Sequence, residues 1–148
     1  MAPTEKQVYI TWADSFNVGI GIIDSQHQKL VAVVNELHQG VNATHGEQIE
    51  EKRAESFRKA MRGAVEYVRV HFSTEETLMK KFNYPDSVVH KAQHAEFVRR
   101  VLQGASRFES GHTNEGLHLV IFLRNWLLEH IAISDKNLAL FIKKQGMQ

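Results

Sequence analysis

Nine histidines are dispersed from residue 27 to residue 130 of a 148-residue chain that contains no cysteine. A purification tag would gather them at one end, whereas most of these fall inside stretches of helical apolar periodicity. An interior imidazole needs a polar partner, so a fold that buries several must bring their ring nitrogens together. The absence of cysteine excludes disulfides, thiolate-held iron–sulfur clusters, Cys-type zinc sites and a Cys nucleophile.

With only two prolines, long stretches are free to be helical, and four segments follow the helical period. The first runs from Ile20 to Gly40, with Ile23, His27, Leu30, Val31, Val34 and Leu37 on one stripe. Gly40, Asn42 and Gly46 then mark a loop. The second spans Gln48 to Phe82, and Asn83-Tyr84-Pro85 reads as a stop and restart. Asp86 or Ser87 can cap the third helix, Ser87 to Ser110, whose apolar members are Val89, Phe97, Val101, Leu102 and Phe108. Gly111 follows, and Thr113 or Asn114 can cap a last helix that reaches Lys144. Short connections between amphipathic helices predict an all-α, antiparallel up-down-up-down four-helix bundle over residues 20–144. Residues 1–19, with Trp12, Phe16 and Val18, read as an N-terminal arm laid over it. The whole chain, 1–148, reads as one domain.

Each of the four helices carries metal-ligand side chains in its interior. His71 and Glu75 lie four apart, as do His90 and His94, so each pair shares a helix face. Either pair can clamp one metal or serve two adjacent ones. His27 stands alone on the first helix. His130 and Asp135 are five apart, which on an ideal α-helix separates them by roughly 140°. The two converge if the helix is distorted, and the spacing predicts a π-bulge near Ala132 to Ser134. Imidazole with carboxylate suits iron, zinc, copper or nickel better than magnesium or calcium. Five imidazoles, two bridging carboxylates and a bridging oxide or hydroxide fill all but one position around two octahedral metals. The vacancy is what a diatomic ligand requires.

These motifs resemble the bacterial hemerythrins. The resemblance rests on Trp12, on Val18-Gly19-Ile20 and Ile23-Asp24-Ser25-Gln26-His27, and on His71-Phe72-Ser73-Thr74-Glu75. The His90/His94 pair, His130-Ile131 and Asp135 follow in the family order, so the match covers residues 10 to 140. It implies two irons, one held by His90, His94 and His130 and the other by His27 and His71. Glu75, Asp135 and an oxo or hydroxo group would bridge them. It further implies that O2 binds end-on, as hydroperoxide, at the iron held by two histidines. An apolar pocket of Ile23, Leu30, Phe72, Phe97, Trp126, Ile131 and Ile133 is expected around that position.

The resemblance implies a reversible oxygen-binding protein and no enzyme. A di-iron oxidase, peroxidase or nitric-oxide-handling enzyme, and an oxygen or redox sensor, are the alternatives. Carboxylate-rich di-iron enzymes present Glu from all four helices, whereas here five of seven ligand residues are neutral imidazoles. Sensor versions carry a fused signalling domain, and this chain stops soon after its last helix. His38, His45, His112 and His118 lack partners in the motif, and Tyr67, one turn before His71, is a possible outer hydrogen-bond donor. A net charge of +1 with both signs interspersed offers no footprint for nucleic acid or a membrane surface. No uninterrupted apolar run reaches membrane-spanning length, so a cytoplasmic location is expected. A monomer is expected, with no extra apolar stripe legible.

Overall fold

The computed structural model describes residues 9–44, 51–111 and 115–146. Helix α1 spans Gly21–Thr44, α2 Glu51–Lys81, α3 Ser87–Glu109 and α4 Glu115–Glu129. A π turn, His130–Asp135, joins α4 without a break to α5, Lys136–Lys144. The helices pack in the cyclic order α1, α2, α3, α4 and back to α1, which is the expected up-down-up-down bundle. No strand occurs among the described residues.

The turn between α2 and α3 is as abrupt as its sequence suggests. Asn83 takes a left-handed conformation, φ 53°, while the Tyr84 N–H donates to the Met79 carbonyl and the Asn83 N–H to that of Lys80. This is a Schellman cap, and the Tyr84 and Met79 side chains pack in one cluster beside it. Asp86 stands at the N-cap position of α3, but its side chain makes no capping bond. Gly111, φ 98°, follows the end of α3.

Two sequence expectations are corrected. Gly40 does not end α1, which continues to Thr44. One glycine costs only about 1 kcal/mol in a helix, and here the Phe57 ring of α2 lies against it, so packing overrides propensity. Val89 and Leu102 are not core residues, being 60% and 45% exposed. His45, His112 and the proposed caps Thr113 and Asn114 lie outside the described residues.

The arm is tied down at two points. The Asn35 carboxamide accepts from the Ile10 N–H at 2.7 Å and donates to the Ile10 carbonyl at 2.9 Å. Asp24, in the first turn of α1, accepts the N–H groups of Val18 and Gly19 at 2.7 and 3.1 Å. Between these, Trp12 and Phe16 meet edge to face and pack on the core.

The core has two parts. The larger cluster includes Leu30, Val34, Phe57, Phe72, Phe97, Val101, Val120, Leu127 and Ile131. The smaller comprises Val18, Ile20, Ile23, Met79, Tyr84, Leu138, Ala139 and Ile142. On each helix at least one interior polar residue falls between members of the two, while His71 and His130 are flanked along the chain by the larger cluster alone. His27 lies between Ile23 and Leu30, Glu75 between Phe72 and Met79, His90 and His94 between Tyr84 and Phe97, and Asp135 between Ile131 and Leu138. A polar layer therefore divides the bundle.

The α4–α5 rod, Glu115–Lys144, is long and apolar enough to cross a membrane by composition, with mean hydropathy 1.2 in its most apolar window. In this fold it packs on α3 and α1 and brings the buried His130 and Asp135 to the polar layer.

Candidate metal centre

All seven interior ligand-type residues, His27, His71, Glu75, His90, His94, His130 and Asp135, are buried and meet in the polar layer. Their ligand atoms form two overlapping groups, each within 4.8 Å. One group contains Glu75, His90, His94, His130 and Asp135, the other His27, His71, Glu75 and Asp135. Both carboxylates belong to both groups, and the histidines divide three and two.

The π turn accounts for the last pair. Its hydrogen bonds close over five residues, so residues five apart come round to one face. His130 Nε2 consequently lies 2.8 Å from Asp135 Oδ1, although five positions separate them. On α2, where the four-residue spacing suffices, His71 Nε2 lies 2.8 Å from Glu75 Oε1. Across the bundle, His27 Nε2 is 2.7 Å from Asp135 Oδ2, and His90 Nε2 is 3.2 Å from both Glu75 Oε2 and Asp135 Oδ1.

The profile of the hemerythrin HHE cation binding domain matches residues 18–141, nearly the whole of the bundle. The chain belongs to the hemerythrin family. It is 35% identical over 127 residues to a bacteriohemerythrin of Pseudomonas aeruginosa, covering 86% of this chain and 77% of that protein. A bacteriohemerythrin of Methylococcus capsulatus is 33% identical, covering 86% of this chain and 92% of the relative. A hemerythrin-like protein of Naegleria gruberi is 32% identical, over 84% and 86% of the two chains. The crystal structure of wild-type hemerythrin superposes with a TM-score of 0.75 at 27% identity, covering 90% of this chain and 98% of its own.

The donor atoms of this hemerythrin-family site fit a metal better than they fit one another. His71 Nε2, His90 Nε2, Asp135 Oδ1 and both Glu75 oxygens are buried without a hydrogen bond, despite neighbours at 2.8–3.2 Å. They converge on shared points instead of aiming at each other. Each such group costs about 1–3 kcal/mol unless something satisfies it. A cation held between them would satisfy them together.

Charge in the cluster is redistributed accordingly. Burial pulls the His71 and His90 imidazoles down, but the close approach and charge of the Asp135 and Glu75 carboxylates prevail and raise both to about 9. His130 is raised by the same balance, chiefly through Asp135. For His94 burial wins and the value falls. Burial pushes both carboxyls up, yet Asp135 stays well below its ordinary range through the His130 and His27 rings beside it. Glu75 is likewise lowered, its His130 and His71 contacts outweighing burial and the Asp135 charge.

Apolar rings frame the three-histidine side. Phe72 stacks on His94 at 3.7 Å with planes 4° apart, and Trp126 stacks on His130 at 4.3 Å. Phe97 packs against both Phe72 and Trp126. Leu30 and Ile131 are buried in the same larger cluster, whereas Ile23 belongs to the smaller one. Ile133 is corrected: at 56% exposed it faces away from the buried centre.

The other described histidines, His38 and His118, stand apart. His38 stacks on Tyr9 at 3.9 Å, and the His118 side chain is 68% exposed. Tyr67 lies beneath the Lys29 ammonium at 4.6 Å. The partner of His71 Nδ1 is instead Gln26, whose Oε1 lies 2.7 Å away. The signal for Gln26 was its position, three after buried Ile23 and four before buried Leu30, which sets a carboxamide on the inner stripe. Its partner 45 residues away could not be read from spacing.

Proposed function

We propose that this chain holds two irons and binds dioxygen reversibly, as a cytoplasmic oxygen carrier or store. The observation that carries the reading is the pair of overlapping ligand groups, joined by Glu75 and Asp135 and divided three histidines to two. His90, His94 and His130 would hold one iron, His27 and His71 the other, with the carboxylates spanning both. When bound, the irons supply the electrons that hold dioxygen, one from each.

The protein's contribution is to leave one site short of a ligand and to keep it dry. Full burial of His27, His71, Glu75 and Asp135 excludes bulk water from the two-histidine side. Phe72, with Phe97 and Trp126 behind it, closes the layer from the larger core. Five neutral imidazoles against two carboxylates give less negative charge than carboxylate-rich di-iron enzymes have, which favours binding over oxidation.

The test is direct. Iron-loaded, reduced protein is expected to contain about two irons per chain and to colour in air and bleach under argon through repeated cycles. His71→Ala and Glu75→Ala should abolish the colour. Irreversible oxidation after one exposure, or steady turnover of peroxide, would overturn the carrier reading. A His71→Ala protein that keeps the two-iron spectrum would overturn the ligand assignment.

A further inference from the structure

The hydrogen bond from His71 to Gln26 is the inner end of a chain whose direction can be read from its outer end. The Val70 carbonyl can only accept, so the Thr74 hydroxyl, 3.1 Å away, donates its single proton there. Thr74 Oγ1 is then left as an acceptor for the Gln26 Nε2–H at 3.0 Å. That turns the carboxamide so that Oε1 faces His71 Nδ1 at 2.7 Å. Nδ1 must therefore carry a proton, which leaves Nε2 to face Glu75 and the cluster. No comparable device serves His27 or His94, whose buried Nδ1 atoms have no protein hydrogen bond.

We propose that Gln26 is a positioning residue for the two-histidine iron: locked by Thr74 and the Val70 carbonyl, it fixes the His71 tautomer and keeps that ligand a weak electron donor. The inference rests on the di-iron reading above. A carboxylate in the same place would draw the Nδ1 proton toward itself and make the imidazole a stronger base. A neutral amide orients the ring without that push. The iron it serves then gives up its electron less readily. Autoxidation is slowed, since that reaction passes two electrons and two protons to dioxygen, releases hydrogen peroxide and leaves both irons ferric.

The experiment compares iron-loaded wild type with Gln26→Glu, Gln26→Leu and Thr74→Val. It measures iron per chain, the midpoint potential of the iron couple and the lifetime of the oxygenated colour. Gln26→Glu should keep its iron but show a lower potential and a colour lifetime shortened several-fold. Gln26→Leu should lose about 10-fold or more in iron affinity. Thr74→Val, at the half-buried outer end, should keep its iron and move the potential in part. A Gln26→Glu protein with wild-type potential and lifetime overturns the proposal, as does a Gln26→Leu protein with undiminished iron affinity. If the wild type loads iron and cycles with oxygen while the variants match it, only the role of Gln26 falls. A wild type that fails to load overturns both readings.

Discussion

Phe72 is the residue whose removal tests the ring packing most severely. It is 4% exposed and touches the rings of His71, His94, Phe97, Trp126 and His130. Truncating a buried Phe to Ala costs about 3–5 kcal/mol, the larger values where neighbours cannot collapse into the space. Here the neighbours are planar rings carried by α2, α3 and α4 with its π turn, so about 4 kcal/mol is expected for Phe72→Ala. For a domain of about 150 residues each kcal/mol lowers Tm by roughly 2–4 °C, which gives a drop of about 8–16 °C. Iron-free wild type and variant should be melted by circular dichroism, because bound metal would mask part of the loss. In the iron-loaded protein the same variant should autoxidise faster, as the space admits water beside His94. Phe72→Leu should recover most of the stability. A Phe72→Ala Tm within about 3 °C of wild type would refute the assumption that these rings are rigid.

Deleting Ala132 should be tolerated far better than deleting Asn125. The first converts the π turn to α-helix and leaves His130 and Asp135 four apart, on one face. The second rotates everything after it by about 100° against the bundle. Equal iron content in the two deletion proteins would show that the π turn is not what aligns the pair. The iron-free protein should also lose stability as pH rises. His71 and His90 are raised to about 9 from 6.5, so their stabilisation is complete below 6.5 and lost as pH climbs through 9. Iron loading, which requires neutral imidazoles, should release protons and tighten across that same window. A melting temperature flat from pH 6.5 to 9 would refute the assignment.

The four helices, the His71/Glu75 and His90/His94 pairs and the π turn were legible because each depends on spacing along one helix. His71 and Glu75 share a face by arithmetic, and the five-residue gap from His130 to Asp135 demanded a distortion. Ile133 was misread for a related reason. In an α-helix a residue three after His130 sits beside it, but a π turn rotates less per residue and carries position 133 outward. Gly40 and Val89 misled because propensity and apolarity are local, while burial is decided by the neighbouring helix. Gln26 stayed hidden because its role depends on Thr74, 48 residues distant, on another helix.

The division of the core by its polar layer bears on the lifetime of chains that have not acquired metal. The smaller cluster gathers Val18 at the end of the arm, the start of α1, the end of α2, Tyr84 and α5, and among the described residues it forms a separate apolar cluster from the larger one. Metal coordination would rivet the two halves; without it, the layer between them holds several buried polar atoms with no hydrogen bond. Iron-free chains should then open first at that end, with amides of Ile23, Leu138 and Ile142 exchanging hydrogen well before that of Val120. Uniform exchange across both clusters would contradict this. The half that opens exposes Met79, Leu138 and the α5 terminus to proteases, so iron supply would set how long each chain survives.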